Sequence, residues 1–277
     1  MTDTLALRLR LALGGAAELG DELPALGGIR VFTGRARGEP PGTVSRTIIL
    51  HAPPPDGPLP SAMARRADLA LALVHPNVSA PVATGDFEGR AWVVEPVPAG
   101  VSLRERLRRG PLTAHDTIAM LRDVTRGIAA MHRKGLAHGA LDAGQVYLHA
   151  DGAVVAGVGR QDGAAMAGDL AAIGVLAWTA LEGQGPDGVQ RSLRSTGRAV
   201  SREVDQLVQR LLDAERRPAR AELLLAELDA FTAPQASPLT ALVEGAAHGG
   251  RAVTRHPAVL LLVLMALAAL GFVISRR

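Results

Sequence analysis

The stretch from Leu121 to Asp142 reads LRDVTRGIAAMHRKGLAHGALD and decides how the rest of the chain is interpreted. Apolar residues recur every three or four positions up to Met131, which predicts a helix with one buried face. Thr113 followed by Asp116 is typical of the start of such a helix. Gly135 is typical of its end. The sequence therefore predicts one long helix, followed by a loop that begins near Leu136.

Downstream of this helix the chain predicts one hairpin and three more helices. Asp151-Gly152 is a turn signal between two short β-branched runs, which predicts a hairpin. Leu170 to Leu181 is almost wholly apolar, which indicates a buried helix. Ser201 is the predicted N-cap of the next helix. Residues 223–231 predict the last one, and no internal repeat is present.

Upstream, strand signals surround one predicted helix. Thr47-Ile48-Ile49 and Trp92-Val93-Val94 are the strand candidates, and Ser61 to Val74 is typical of a helix. Alternating leucines from Leu5 to Leu13 fit either a strand or a short helix, and the pattern does not separate the two. Strands around one helix, followed by a helical half, predict an α+β protein with two lobes.

Six short motifs, in this order, resemble the protein kinase fold of the bacterial serine/threonine type over residues 22–231. They are His75-Pro76-Asn77-Val78, Trp92-Val93-Val94-Glu95, Gly100-Val101-Ser102-Leu103, Met131 to His138, Asp169 to Gly174 with 182–186, and Leu211-Leu212-Asp213 with Arg217-Pro218. The resemblance implies a bilobal fold with a small β-rich N-lobe at 22–95 and a helical C-lobe at 96–231. Residues 1–21 are then an N-terminal extension.

The resemblance also places the catalytic positions, and the residues there are degenerate. The family's His-Arg-Asp reads His138-Gly139-Ala140, so the catalytic aspartate is a methyl group. The metal-binding asparagine falls on Gln145 and the loop lysine on Asp142. The magnesium-binding Asp-Phe-Gly falls on Gly157-Val158-Gly159. A shifted register in which Asp142 or Asp162 supplies the carboxylate stays open.

The predicted nucleotide pocket lacks its cation. Leu50 and His51 stand where the lysine of the third strand is expected, and the partner glutamate falls near Arg66. Lys134 is the only lysine in the chain, so none can substitute from a shifted register. The pocket residues in this alignment are Gly27, Gly28, His51 and Glu95. Phosphoryl transfer needs cations around a polyanion. We therefore expect at most weak ATP binding, with no bound Mg²⁺ and no other cofactor.

Four residues are expected to serve the architecture rather than the chemistry. The resemblance implies that His138 packs in the interior and that Asp169 holds the backbone of the loop at 138–140. It implies that Gly174 allows two helices to approach closely. Arg217, whose family partner is a glutamate that this chain lacks, is expected to pair elsewhere.

Composition excludes several other classes of function. The net charge of +3 and the aromatic content of 3% argue against a nucleic-acid binder. With no cysteine, the 277-residue chain has no disulfide, thiolate metal site or cysteine nucleophile. It also contains neither HExxH nor GxSxG. We expect no metal site.

The C-terminal region predicts a membrane anchor. Ala258 to Ile274 is 17 residues without a charge, about 26 Å long as a helix and close to the hydrocarbon thickness of a bilayer. We therefore predict a flexible linker at 232–256 and a single transmembrane helix at 257–275, as a tail anchor. Asp3, Arg8 and Arg10 interrupt any apolar run at the N-terminus, so no signal peptide is expected. The soluble domain is then cytoplasmic, at the cell membrane.

The sequence supports three hypotheses. The leading one is a catalytically inactive kinase-like domain, a membrane-anchored pseudokinase that acts by binding a protein partner such as an active kinase or another signalling component. The second is an atypical ATP-dependent serine/threonine kinase that uses displaced acids. The third is a structural membrane protein in which the fold is only a packing unit.

Overall fold

The computed structural model of the chain describes residues 4–23, 30–50, 68–158, 166–188 and 191–232. The chain divides into two units, Met1–Thr232 and Ala233–Arg277, and only the first contains described residues. Among the described residues, no helix is both long and apolar enough to cross a bilayer. The predicted linker and the predicted membrane span both lie outside the described residues, apart from Thr232 at the end of the last helix.

The first lobe is a five-stranded antiparallel sheet with strand order β1-β2-β3-β5-β4. Its strands are β1 (Glu18–Leu23), β2 (Arg30–Arg35), β3 (Arg46–Leu50), β4 (Ala83–Phe87) and β5 (Arg90–Pro96). The predictions of strands at 47–49 and 92–94 are confirmed. These two strands lie side by side, with Ile48 opposite Val94. β3 is the central strand and β5 lies next to it. Their apolar side chains are buried on both faces of the sheet.

The alternating leucines form a helix, α1 (Thr4–Leu13), and not a strand. Leu9 and Leu13 are buried against the sheet in one cluster with Phe32 and Leu50. The helix packs on the first lobe, and β1 begins at Glu18. Residues that we expected to be an extension therefore contribute to the N-lobe.

The second lobe is helical, with a small three-stranded sheet at its junction with the first. Its helices are α2 (Leu103–Leu107), α3 (Ala114–Arg133), α4 (Met166–Glu182), α5 (Arg202–Leu212) and α6 (Ala221–Thr232). Its strands are β6 (Val101–Ser102), β7 (Val146–His149) and β8 (Gly152–Val155). The prediction of a hairpin about Asp151-Gly152 is confirmed, because His149 of β7 pairs with Gly152 of β8.

Helix α3 is the centre of the second lobe, as the opening stretch predicts. The Thr113 hydroxyl accepts a hydrogen bond from the Asp116 N–H, so this residue is the N-cap. The helix packs against α4, α6 and β8. Arg122 binds Asp229 of α6 at 2.7 Å. The predicted helices at 170–181, after Ser201 and at 223–231 are confirmed as α4, α5 and α6. Of the helix predicted at 61–74, the described part is helical over 68–71.

The loop before β4 joins the two lobes. The Asn77 amide donates to the Ala153 carbonyl at 2.9 Å, and the Val155 N–H donates to the Asn77 carbonyl at 2.9 Å. His75 Nδ1 accepts from the Asn77 N–H. Burial, with smaller contributions from two nearby arginines, lowers the pKa of His75, which favours the neutral ring that this hydrogen bond needs. The first lobe is thereby attached to β8 in a fixed position.

Candidate functional site

The loop that follows α3 is held by a single buried carboxylate. Asp169, in the first turn of α4, is 1% exposed. Its Oδ2 accepts from the His138 N–H at 2.8 Å, and its Oδ1 accepts from the Gly139 N–H at 2.8 Å. His132 Nε2, in the last turn of α3, lies 2.8 Å from the same Oδ2. One side chain of α4 therefore fixes both the end of α3 and the backbone of the loop.

These contacts make Asp169 a clamp and not a proton acceptor. Burial would raise the pKa of the Asp169 carboxyl, but the hydrogen bonds from His132, Gly139 and His138 outweigh burial and lower it. The carboxylate is ionised, has three donors and is shielded from solvent. A general base has to reach the proton that it removes, and this carboxylate is not accessible to a substrate.

His138 is also occupied at both ring nitrogens. Nε2 lies 2.8 Å from the Ala156 carbonyl, which is an acceptor only, so Nε2 carries the proton. Nδ1 accepts from the Ala140 N–H at 3.3 Å. The ring is fully buried. It joins the loop to the end of β8 and shapes the backbone at Ala140, whose methyl group stands where the resemblance places an aspartate.

Asp142 is the nearest acid along the chain, and its carboxylate is committed to other contacts. Its Oδ2 binds Arg104 of α2 at 3.0 Å. Its Oδ1 accepts from the Gly144 N–H, which forms a local turn. Gln145 follows; its N–H donates to the Asp142 carbonyl, and its own carbonyl accepts from the Ala156 N–H. Gln145 holds the loop against the end of β8, and Asp142 joins it to Arg104 of α2.

Gly157 follows β8 with φ +83°, a left-handed conformation that glycine adopts easily. It has no side-chain oxygen for a metal, and the resemblance places a carboxylate there. Among the described residues, no group of three His, Asp or Glu side chains is arranged to hold a metal ion. The side chains of Ala140, Gln145 and Gly157 offer a metal one amide oxygen and no carboxylate, whereas Mg²⁺ is usually bound through at least one carboxylate.

The described end of β3, next to the position where a cation is expected, is apolar. Ile49 and Leu50 point to opposite faces of β3, and both are fully buried. Leu50 lies in the same cluster as Leu9 and Val94. Lys134 is the C-cap of α3, in the second lobe. Gly27, Gly28 and His51, which we assigned to the nucleotide pocket, lie outside the described residues, as do Arg66 and Asp162.

Glu95 is the one predicted pocket residue that the structure describes. Its side chain is 1% exposed, and it lies opposite Thr47 in the centre of the sheet. Pro96 has no N–H, and the Val97 N–H donates to the Ser45 carbonyl at 3.0 Å. The first backbone donor that follows Glu95 is therefore engaged with the Ser45 carbonyl and is not directed at a nucleotide base.

Gly174 and Arg217 both act where α4 meets α5. A Cβ on Gly174 would lie 2.9 Å from the Cβ and the carbonyl oxygen of Leu211. That distance is too short for any side chain, so only glycine permits this approach. Arg217 Nε donates to the Leu211 carbonyl at 2.6 Å, and its Nη2 donates to the Leu212 carbonyl at 3.2 Å. Arg217 therefore caps the C-terminus of α5.

Sequence reasoning did not identify the roles of three residues. They are His132, which binds Asp169, Asn77, which ties the lobes, and Asp123, whose Oδ2 accepts from the Ala153 N–H at 3.0 Å. Their partners are 30 to 76 residues away in the sequence, so no local pattern marks them. The spacing of His132 and His138 fits no metal motif, and it gives no sign of the contact with Asp169.

Comparison with sequence families and curated proteins gives a partial match. No family model matches the chain. A stretch of 74 residues is 31% identical to the serine/threonine-protein kinase PknJ of Mycobacterium tuberculosis, and the same match is found with PknJ of Mycobacterium bovis. This stretch is 27% of the chain and spans only 13% of the length of these relatives.

Comparison with solved structures covers most of the chain. The kinase domain of Mycobacterium tuberculosis PknI superposes with a TM-score of 0.60 at 18% identity, over 78% of this chain and 95% of that domain. A point mutant of the same domain gives a TM-score of 0.59 at 19% identity, over 78% of this chain and 96% of the other. The two lobes, the order of their strands and helices, and these superpositions together give the chain the protein kinase-like fold of bacterial serine/threonine kinase domains.

Proposed function

We propose that this chain is a membrane-anchored pseudokinase: a kinase-like domain that transfers no phosphate and acts by binding another protein of a signalling pathway. The observation that carries the proposal is Ala140. Its N–H donates to His138 Nδ1 at 3.3 Å, which supports a loop register with a methyl group, and not an acid, at this position. The nearest acid, Asp142, is bound to Arg104.

The charge balance of the cleft supports the same proposal. Transfer of a phosphoryl group needs cations around the transferred group and a carboxylate to orient the acceptor hydroxyl. Along β3, Ile48, Ile49 and Leu50 are buried apolar residues. The only lysine is the C-cap of α3. A nucleotide held without cation or metal is held weakly.

Two measurements on the full chain in detergent test the absence of activity. Thermal unfolding is followed during titration with ATP, with and without Mg²⁺. A ligand that binds the native state raises the midpoint, and we expect no Mg²⁺-dependent rise. Transfer of label from the γ-phosphate to the chain or to a generic acceptor protein is measured in parallel, and we expect none above a heat-treated sample.

A matched pair of variants distinguishes the atypical kinase from contamination. If label is transferred, Asp142→Asn and Asp151→Asn are compared, because Asp142 lies in the loop and Asp151 is exposed at the β7–β8 turn. Loss of transfer in Asp142→Asn alone would establish a displaced catalytic acid and refute the pseudokinase. Equal transfer by both variants points to a contaminating kinase.

The proposed anchor is the uncharged segment 258–274, with the domain on the cytoplasmic side. Its length is close to that of a bilayer's hydrocarbon core. Membrane fractions are washed with alkaline carbonate, and the full chain is expected to stay in the pellet while a chain ending at residue 250 is released. Protease added to intact cells is expected to leave the domain uncut, and cleavage would place it outside.

The identity of the bound protein distinguishes the hypothesis of a binding module from that of a structural protein. We expect crosslinking in intact cells, followed by purification through a tag on the chain, to yield a stable complex of fixed stoichiometry with one signalling protein. A structural role predicts copies of this chain alone, in extended arrays.

A further inference from the structure

Helix α1 carries two leucine stripes, and among the described residues one is buried while the other is exposed. Leu9 and Leu13 face the sheet and are buried, whereas Leu7 and Leu11 are 55% and 78% exposed. Residues two positions apart lie about 200° apart around a helix, so alternating leucines become two opposite apolar faces. The first face packs on the sheet, and no contact among the described residues of the first lobe explains the second.

The exposed face also carries positive charge. Arg10 is exposed and lies about 60° around the helix from Leu7, and it has no ion pair or hydrogen bond among the residues that the structure describes. Arg8, one position from Leu7, is bound to Glu88 in the β4–β5 turn, which holds α1 against the sheet. An exposed apolar stripe beside a free arginine is typical of a helix that lies at a membrane interface.

A second copy of the chain is a poor occupant of this face. Ten residues at about 1.5 Å rise and about 10 Å width project roughly 150 Å², whereas a stable interface buries about 800 Å² on each partner. A bilayer needs no such area when another segment already holds the domain at its surface, because tethering makes the second contact intramolecular. Anionic headgroups also complement Arg10.

We propose that α1 lies on an anionic membrane surface through Leu7, Arg10 and Leu11. This inference rests on the membrane association proposed above, and it adds a second contact that fixes which side of the first lobe faces the lipid. The first lobe then has a fixed orientation against the bilayer, and a partner has access to the remaining faces.

The absence of cysteine allows a direct test. A single cysteine introduced in the full chain is a unique labelling site, and three such variants carry an environment-sensitive fluorophore. Leu11→Cys reports the proposed contact. Val175→Cys, at an exposed apolar position of α4, is the matched control. Leu262→Cys reports the proposed anchor. Each is reconstituted in vesicles of phosphatidylcholine alone or mixed with phosphatidylglycerol.

We expect a severalfold lower quenching of the Leu11 probe by aqueous iodide in the anionic vesicles, and efficient quenching by spin-labelled lipid. The Val175 probe should remain open to iodide. Substitution of Arg10→Gln, or high salt, should weaken the protection at Leu11, since both remove the attraction to headgroups.

The two proposals fail in different ways. A Leu11 probe as accessible as the Val175 probe, while the Leu262 probe is in lipid, overturns the α1 contact and leaves the anchor. A Leu262 probe open to iodide overturns the anchor, and protection of Leu11 on anionic vesicles would then still support the contact. Protection of Leu11 that depends on protein concentration without vesicles shows a second copy and refutes the lipid contact.

Discussion

His132 of α3 and Asp169 of α4 meet through Nε2 and Oδ2 at 2.8 Å, 37 residues apart in the chain. The same carboxylate receives the backbone N–H groups of His138 and Gly139. A helix end, a loop and a second helix are thus positioned by one negative charge in the interior. The loop geometry therefore depends on this carboxylate and not on the side chain of Ala140.

Replacement of this carboxylate should destabilise the whole domain. Asp169→Ala leaves two buried N–H groups and His132 without their acceptor, and we expect a loss of about 3–5 kcal/mol in the free energy of unfolding. Urea denaturation of the full chain in detergent measures it. Asp151→Ala, which removes an exposed acid, is the control and should change stability by less than about 0.5 kcal/mol. Similar losses in both variants would contradict the clamp.

The same residue predicts an acid-dependent loss of stability. The pKa of Asp169 is lower in the folded chain than its usual value, so the folded state favours the ionised form. Its contribution is complete above the unfolded value of about 3.9 and is lost as the pH falls through the lower folded value. The stability gap between the natural chain and Asp169→Asn should therefore narrow below about pH 4. A gap that is unchanged to lower pH would refute this assignment.

Two glycines of α4 should respond in opposite ways to alanine. A methyl group on Gly174 would meet Leu211 at 2.9 Å, whereas one on Gly168 meets nothing within 4 Å. We expect Gly174→Ala to cost about 1–3 kcal/mol by forcing α4 away from α5. Gly168→Ala should be neutral or stabilising by up to about 1 kcal/mol, since alanine favours helix. Thermal unfolding of the two variants, measured side by side, tests this difference in stability. Equal midpoints would contradict the close approach of α4 and α5 at Gly174.

Restoring a lysine to β3 should not restore a nucleotide site. Leu50 is buried in the apolar cluster of the first lobe, and Leu50→Lys would place an unpaired charge there. We expect a cost of more than about 3 kcal/mol. Leu50→Met keeps the volume and should cost less than about 1.5 kcal/mol. A stable Leu50→Lys variant whose midpoint rises with ATP would show that this position faces the cleft after all.

We expect the side chain of Arg217 to stabilise the second lobe and that of Arg216 to contribute little to its stability. Arg217→Ala removes two donors from the Leu211 and Leu212 carbonyls, at a cost of about 1–3 kcal/mol. Arg216 is exposed, so Arg216→Ala is the control and should have little effect. Hydrogen exchange at the last turn of α5 should accelerate only in the first variant, and uniform exchange in both would argue against the cap.

The pattern of apolar residues along the chain was sufficient to predict the helices of the second lobe. The helices α3 and α5 have apolar stripes and the N-caps Thr113 and Ser201, so the sequence contains both their starts and their buried faces. Helix α4 was predictable from its almost wholly apolar sequence. Strands β3 and β5 were predictable because their β-branched runs are buried on both sides. β1 was not predictable: its sequence ELGDEL is polar, and it is a strand because β2 provides its hydrogen bonds.

The candidate site also has one part that the sequence could predict and another that it could not. The assignment of Ala140, Gln145 and Gly157 to catalytic positions rests on motif order along the chain, and it stays a prediction. The contacts of His132, Asn77 and Asp123 could not be predicted, since each depends on how the helices and strands pack. The alternating leucines were ambiguous because periods of two and of 3.6 both place Leu9 and Leu13 on one side. Only packing against the sheet decides between them.

The guanidinium of Arg217 has a consequence for regulation. Its side-chain hydrogen bonds among the described residues are to the Leu211 and Leu212 carbonyls of α5, and these two bonds need no acid from the chain between β8 and α4. A modification or cleavage in that chain would not be transmitted to α5 through this residue. We expect regulation of this protein to act through the molecules that bind its exposed surfaces.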